Sequence, residues 1–302
     1  MIRTVLDETS LPAGIVLPHE HLVIDHRQKE GGAPPPTVKL EDLCVAMLRT
    51  AQRNGISAIV DCTPPGYGRD IPFLQRVSKR SGVAIIASTG TFCEMWSEQP
   101  RWVVELSTDQ IAERFIAELG RSSSVIKVAL SEHPTEREWR ALDAAAIAHL
   151  RVSAPIVVHT SGSSGHSVCD RLAAHGVPLD AAVISHAGAA GEGADYVVAL
   201  AQRGIWVGFD RIGHAVFPSA LSLELIQQVV AAGCADRILL SHDSVQGFHG
   251  PTDIAEATFA DLSYLVTHFS HDFFRAGLGT ELFQQLTETN PRRWLSQNRD
   301  VF

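Results

Sequence analysis

Two histidines one residue apart, His19 and His21, are the first side chains in this sequence whose type and spacing could do chemistry. They follow an apolar run at residues 14–17 that is typical of a short buried strand. Because alternate residues of a strand share a face, both imidazoles would project together and could bind one metal ion, with Glu20 turned away. The alternative interpretation is that both are polar surface residues.

Further metal-binding side chains stand at or just after other apolar runs, namely His159, His186 and Asp243. In a barrel of parallel strands, the residues at the carboxyl ends of the strands build the active site. Four histidines and one aspartate at such converging positions could coordinate two metal ions, with Asp243 completing one of the two sites.

Lys127 lies within another apolar run, at residues 125–129. Burial favours the neutral amine, which can add carbon dioxide to become a carbamate anion able to bridge two metals. The alternative is a lysine that extends past the strand end to a carboxylate. Glu132, a few residues later, is a second candidate for a bridging carboxylate.

These side chains must be positioned by regular elements, and the sequence alternates between apolar strand patterns and helical patterns. Eight strands are predicted, at residues 14–17, 56–61, 83–88, 125–129, 156–159, 182–186, 205–209 and 238–242. Helices are predicted between them, at residues 40–54, 109–119, 135–150, 167–175, 194–203 and 221–232. Continuous apolar strands that alternate with helices indicate parallel pairing buried on both faces.

The predicted fold class is therefore α/β, as a (β/α)8 TIM barrel that forms a single domain over residues 1–302. A doubly wound open sheet is the main competitor, but it usually carries a glycine-rich turn after its first strand. Here that place is taken by His19, Glu20 and His21. The one long irregular stretch, residues 244–269, is predicted to be a lid-like loop.

Composition limits the classes of partner and the compartment. A net charge of −9 without a basic block gives no support to binding of nucleic acid or an anionic membrane. The first residues lack the apolar core of a signal peptide, and no apolar run is long enough to span a bilayer. Five dispersed cysteines without a C-x-x-C pair argue against a disulfide framework and fit a cytoplasmic protein.

Six ordered motifs resemble those of the phosphotriesterase family of the amidohydrolase superfamily, over essentially the whole chain. The matching residues are 19–22 (His-Glu-His-Leu), 61–63 with 66–70, Lys127 in Ile-Lys-Val-Ala, His159-Thr160 with His186, 241–243 (Ser-His-Asp), and 289–293. The resemblance implies a metal-dependent hydrolase of small molecules, and a homodimer. It gives no indication of a degenerate, non-catalytic homologue, because every metal-ligand position carries the family's usual residue type.

The resemblance assigns His19, His21 and Asp243 to the more buried metal ion, and His159 and His186 to the more exposed one. Lys127 would be the bridge between them, as N6-carboxylysine. The two divalent ions would be zinc, with iron, cobalt or manganese as alternatives. A hydroxide between them would attack the substrate, and Asp243 would accept its proton and pass it to the leaving group.

Two residues bear on the substrate. Arg211, after the seventh predicted strand, resembles an arginine that lines the substrate pocket of lactonase-type members; the alternative is a salt bridge at the barrel rim. Phe92 stands where those enzymes tend to carry a tyrosine, and it lacks the hydroxyl that could contact a lactone. Four residues of candidate lid loops could form an apolar pocket wall or take part in ordinary loop packing, namely Trp96, Trp102, Phe248 and His249.

The function predicted from these residues is hydrolysis of a lactone or ester, with promiscuous phosphotriesterase activity. Hydrolysis of an N-acyl amino compound is the alternative, because the same hydroxide attacks either carbonyl. A non-catalytic metal-binding barrel is a hypothesis of a different class. Six histidines outside the matched motifs are predicted to be surface or loop residues, namely His26, His133, His166, His214, His268 and His271.

Overall fold

A computed structural model describes residues 2–26, 36–96, 98–249 and 261–296 of the chain. Its strands, in chain order, are β1 (Ile2–Arg3), β2 (Glu8–Thr9), β3 (Ile15–Asp25), β4 (Ile56–Asp61), β5 (Ala84–Gly90), β6 (Val125–Leu130), β7 (Ile156–Thr160), β8 (Ala182–Ser185), β9 (Trp206–Phe209), β10 (Ile238–Leu240) and β11 (Val245–His249). β1 and β2 form a small antiparallel hairpin. The other nine, within the described ranges, form one parallel sheet in the order β10-β9-β8-β7-β6-β5-β4-β3-β11.

This sheet curls until its two ends meet at β3. β10 and β11 follow one another in the chain, yet β10 pairs with β9 while β11 pairs with β3. Between them, the Asp243 backbone N–H donates to the carbonyl oxygen of His19 on β3, at 3.1 Å. The eighth strand of the barrel is thus divided into β10 and β11. Residues 241–244, which join these two parts and are called the closing segment below, lie at the seam.

Helices cover the outside of the sheet. They are α1 (Val38–Arg53), α2 (Ile71–Ser81), α3 (Arg101–Glu105), α4 (Thr108–Leu119), α5 (Glu136–Val152), α6 (Gly165–Ala174), α7 (Ala194–Gln202), α8 (Ser219–Ala231), α9 (Ser270–Arg275), α10 (Thr280–Gln284) and α11 (Asn290–Leu295). Two π-helical segments, Leu265–Phe269 and Gln285–Thr289, lead into α9 and α11. Within the described ranges, no helix is both long and apolar enough to cross a membrane.

The helices begin where the sequence supplies acceptors for their free amide groups. Ser107 and Thr135 open α4 and α5 with capping boxes, and the Asp70 carboxylate accepts from the Phe73 N–H to cap α2. Between helices and sheet the apolar side chains are buried, and every residue of β3 is buried as well. The fold is therefore α/β, with a parallel curled sheet of TIM-barrel type.

The eight predicted strands coincide with β3 to β10, within a few residues at each end except at the carboxyl end of β3. Three parts of the prediction were incomplete or wrong. β3 continues to Asp25, well past the predicted residue 17, because the polar pair His19 and His21 is accommodated inside the sheet. No residue range was predicted for α2, nor for the short helices α3, α9, α10 and α11. The stretch 244–269 is not one irregular loop, because β11 and the π-helical Leu265–Phe269 lie within it; residues 250–260 lie outside the described residues.

Candidate metal centre and active site

The six predicted metal ligands converge at the carboxyl ends of the strands. His19 and His21 lie on β3, Lys127 on β6 and His159 on β7, while His186 directly follows β8. Asp243 lies in the closing segment. All but Asp243 are at most 5% exposed, and the Asp243 side chain is 15% exposed. Because these side chains are buried, their polar atoms must be paired with neighbouring protein groups.

His19, His21, Lys127 and Asp243 form one half of this cluster. The Asp243 Oδ1 atom lies 3.4 Å from Nε2 of His21 and 3.6 Å from Nε2 of His19. Lys127 Nζ lies 2.8 Å from the same Nε2 of His19. Their potential ligand atoms are close enough to share one ion, and His19, His21 and Asp243 together form a group that could hold a metal.

His159 and His186 form the other half. Nε2 of His186 lies 2.7 Å from Nδ1 of His159, and the two rings meet edge to face, with their centroids 4.4 Å apart. The His186 ring also lies 5.1 Å from that of His19, between centroids. The two halves are therefore contiguous, as a binuclear site requires.

Asp210, which was not among the predicted site residues, joins the two halves. Its Oδ2 lies 2.7 Å from Nδ1 of His19, and its Oδ1 lies 2.7 Å from Nδ1 of His186. A carboxylate in this position accepts the Nδ1 proton of each ring, so that each Nε2 carries the lone pair with which a metal could be bound. Thr63 makes the corresponding contact to His21, with its Oγ1 2.8 Å from Nδ1. The sequence signal for Asp210 was its place at the end of the seventh strand.

The charge states of the cluster suit metal binding. Burial lowers the pKa of His186 to about 4, and it also lowers the pKa values of His19 and His159, so these imidazoles are neutral near pH 7. Burial alone would raise the pKa of Asp210, but His186 and His19 outweigh it and hold that pKa well below its usual range. Burial would likewise raise the pKa of Asp243, but His186, His21 and His19 hold that pKa well below its usual range. Neutral imidazoles and an ionised Asp243 are the forms that metals bind.

Two of the predicted ligands have strained backbones. His186 has φ 62° and Asp243 has φ 52°, in the left-handed region that non-glycine residues seldom adopt. Such residues persist only where the surrounding structure fixes them, and they gather at functional sites. In both cases the strain turns the chain at the end of a strand, so that the side chain enters the cluster.

Lys127 is fully buried and stays inside the barrel. The alternative in which this lysine extends past its strand to a carboxylate is therefore wrong. Glu132, the other candidate bridge, is also outside the cluster, because it lines a separate exposed cavity with His133 and Thr135.

A cavity of about 280 Å³ opens above the cluster. His21, His159 and Asp243 lie on its wall, and both predicted substrate residues, Arg211 and Phe92, line it as well. Nε of Arg211 lies 3.6 Å from Oδ2 of Asp243. The Phe92 ring centroid is 5.9 Å from that of His159. The remaining wall is mostly apolar and includes Ile24, Trp96, Val216, Val245 and Phe248.

Two histidines in this wall were predicted to be ordinary surface or loop residues. His26 follows β3 and His214 follows β9, at the end of the sheet where the cavity lies, and both line it. Both are loop residues, as predicted, but the sequence analysis did not anticipate that they line the cavity. Of the aromatic candidates, Trp102 packs against Phe115 in the helical layer instead of the cavity.

Comparison with known proteins adds the family. The model of the phosphotriesterase family matches residues 2–295. An aryldialkylphosphatase of Saccharolobus solfataricus is 28% identical over 243 residues, which cover 76% of each chain. The human N-acetyltaurine hydrolase is 25% identical over 264 residues, which cover 80% of this chain and 74% of that protein.

A solved structure of an enzyme engineered for organophosphate hydrolysis from a weak promiscuous lactonase template has the same fold. Its TM-score is 0.87 at 28% identity, and the match covers 97% of this chain and 99% of that one. The similarity extends over the curled sheet, the helices and the ends of the strands where the cluster lies. With the family match over nearly the full length, it identifies this chain as a member of the phosphotriesterase family.

Proposed function

We propose that this protein is a binuclear metal-dependent hydrolase that attacks the carbonyl carbon of a lactone or ester in the 280 Å³ cavity and breaks the adjacent C–O single bond. The observation that carries the proposal is the convergence of four buried histidines, Asp243 and Lys127 on the floor of a largely apolar pocket. A non-catalytic metal-binding barrel would be expected to have lost one of these ligands, whereas all six residues are present and linked by successive contacts.

The donor set fits two divalent ions. Imidazole nitrogen and carboxylate oxygen suit zinc, and also iron, cobalt or manganese. His19, His21 and Asp243 would hold one ion, and His159 and His186 the other. Although Asp210 also lies within ligand distance of His19 and His186, its carboxylate is occupied by their Nδ1 protons. Asp210 therefore orients ligands and does not supply one.

Lys127 would join the two ions as N6-carboxylysine. A lysine ammonium would repel metal cations, yet Nζ of Lys127 lies beside a ligand nitrogen of His19 in a fully buried site. Addition of carbon dioxide to the neutral amine, with release of one proton, would give a carbamate anion that could bind metal, whereas the Asp210 oxygens already face the Nδ1 atoms of His19 and His186.

Bound ions would lower the pKa of a water molecule towards about 7 and polarise the substrate's carbonyl oxygen. Side chains of the protein would move the proton, orient the ligands and exclude water. Asp243, at the border of cluster and cavity, is placed to accept a proton and return it to the leaving group. Asp210 keeps two of the rings in one tautomer, and the apolar wall excludes competing water. Arg211 brings a cationic group to the cavity beside Asp243.

The lactone or ester assignment is supported by the apolar wall, by Arg211 and by the similarity to a lactonase-derived structure. A single panel of lactones, aryl esters and aryl phosphotriesters tests it, measured as kcat/KM with metal-loaded protein. We expect carbonyl substrates to be preferred and phosphotriesters to react weakly. Preference for phosphotriesters, or no turnover of any substrate, would overturn the assignment.

The metal assignment is tested separately by elemental analysis of protein purified without chelator. We expect about two ions per chain, and fewer in Lys127→Ala, because the bridge is lost. Lys79→Ala, which removes an exposed lysine on α2, is the control and should keep the metal content. One ion or none in the native protein would contradict a binuclear centre.

Hydrolysis of an N-acyl amino compound is the second candidate. The observation in its favour is Arg211, a guanidinium at the cavity wall that could pair with an acidic group on the amine side of such a substrate. The similarity to N-acetyltaurine hydrolase supports the same class. N-acyl amino acids and N-acetyltaurine therefore belong in the panel, and faster turnover of these than of lactones would favour amide hydrolysis.

A further inference from the structure

Glu20, which lies between the two metal-binding histidines of β3, has a fully buried carboxylate that points away from the cluster. Its Oε1 atom accepts from Oγ of Ser241 at 2.7 Å and from the backbone N–H of His242 at 3.0 Å, and lies 2.8 Å from Nδ1 of His242. Its Oε2 atom accepts from the backbone N–H of Ser244 at 2.9 Å. Four donors thus converge on one carboxylate.

All four donors belong to the closing segment, on both sides of Asp243. The two backbone N–H groups come from the residues that flank Asp243, whose own φ is 52°. A chain that turns through the left-handed region presents neighbouring N–H groups to one point, where an anion can bind them. The Glu20 carboxylate occupies that point. It is therefore bound to the very turn that directs the Asp243 side chain into the cluster.

The backbone of β3 fastens the same segment from its other edge. The His21 N–H donates to the Ser244 carbonyl oxygen at 2.8 Å, and the His19 N–H donates to Ser241 Oγ at 3.1 Å. Three consecutive residues of β3 therefore contact the closing segment on both sides of Asp243. The side chain of Glu20 supplies the central contacts.

His242 extends this arrangement into the helical layer. Its Nε2 accepts the backbone N–H of Leu265 at 3.0 Å, so the ring proton lies on Nδ1 and is donated to Glu20. Because both ring nitrogens have partners and the ring is fully buried, His242 is not available as a metal ligand. Its role here is to connect the carboxylate of Glu20 to the π-helical Leu265–Phe269.

We propose that Glu20 is a positioning residue: its carboxylate holds the closing segment in the strained conformation that places Asp243 between the metal site and the cavity. The inference rests on the proposed function, in which Asp243 binds metal and moves a proton. A general stabilising role of Glu20 would affect the whole fold, whereas the proposed role concerns the backbone conformation at residues 242–244.

Glu20→Gln tests this in the full-length protein, because the amide keeps the size of the side chain but replaces one acceptor oxygen with a donor. Hydrogen exchange, measured on chelated protein without any assay of activity, should be at least tenfold faster at the His242 and Ser244 amides. In metal-loaded protein, kcat should fall about 10–100-fold with little change in KM, as for other groups that orient metal ligands.

Glu138→Gln is the matched control. Glu138 is also a buried carboxylate with four donors, the backbone N–H groups of Glu94, Ser131 and Thr135 and the hydroxyl of Ser131, but it lies outside the cavity wall. This control should lose stability without faster exchange at residues 242–244. If Glu20→Gln fails to fold, Ser241→Ala keeps the carboxylate and removes one donor, and the same amides should exchange faster by a smaller factor.

Unchanged exchange at His242 and Ser244 in the folded variant would overturn the inference, as would equal acceleration in the Glu138 control. Failure of the proposed function is a separate result, because it would appear as a wild-type protein that turns over no carbonyl substrate. The exchange measurement on chelated protein decides the role of Glu20 in either case.

Discussion

Gly90 packs so closely against Lys127 that a Cβ atom on Gly90 would stand 1.7 Å from the Lys127 carbonyl oxygen. The two residues are partners in the parallel register of β5 and β6, and Gly90 has φ 127°. The next residue, Thr91, donates its N–H to the same carbonyl at 2.8 Å. The backbone of Lys127, the proposed metal bridge, therefore leaves no room for a side chain at position 90.

We therefore expect Gly90→Ala to lower the free energy of unfolding by about 3 kcal/mol or more, since backbone must move and an unfavourable φ is imposed. Chemical denaturation measures the loss. Gly176→Ala is the matched control, because Gly176 has φ 82° but no atom within 4 Å of its added Cβ, and it should lose only about 1–2 kcal/mol. Equal losses in both variants would refute the steric argument.

Asp210→Asn should weaken metal binding by about 10–100-fold, because an amide offers one acceptor oxygen where two ring protons need partners. Titration of chelated protein with zinc measures the change. Asp143→Asn is the control, since Asp143 also accepts from a histidine, His175, and from Arg171, but lies outside the cluster. Zinc affinity equal to that of the wild type would show that Asp210 does not orient the rings.

Asp243→Asn should reduce turnover by about 10²–10⁴-fold while most of the metal remains bound. The amide oxygen can still coordinate, but the side chain no longer accepts a proton at ordinary pH. Parallel measurement of kcat and of metal content separates the two effects. Full activity in this variant would remove the proton-transfer role from Asp243, and equal loss of metal and turnover would reduce it to a ligand only.

His149, on α5 and remote from the site, gives a prediction about pH. Burial lowers its pKa, although its Nδ1 contacts the Ala154 carbonyl oxygen at 2.8 Å. The unfolded chain therefore takes up a proton near its ordinary pKa of about 6.5 while the folded chain resists, so stability falls as pH drops below that value. His149→Gln should flatten this dependence between about pH 7 and pH 5.

Urea unfolding at several pH values within that range tests the prediction. His271→Gln, which changes an exposed histidine, serves as the control and should retain the wild-type slope. A slope in His149→Gln as steep as in the wild type would assign the pH dependence to other groups.

The alternating apolar runs were sufficient to predict the curled parallel sheet, because its buried strands are largely apolar, as in β6, where Lys127 is the one polar residue. The positions of His19, Lys127 and Asp243 followed from motifs at strand ends. Asp210 was missed because its two partners, His19 and His186, are distant in sequence, and nothing local marks a carboxylate that orients rings. β11 was missed because its pairing with β3 depends on closure of the sheet.

The division of the eighth strand into β10 and β11 links metal binding to closure of the barrel. Asp243 sits in that break, and His19 and His21 come from the opposite end of the sequence. An ion bound by these three residues would hold the first and last strands of the barrel together. Metal binding and closure of the barrel would then be coupled, so the melting temperature of the protein should rise with the concentration of free metal ion.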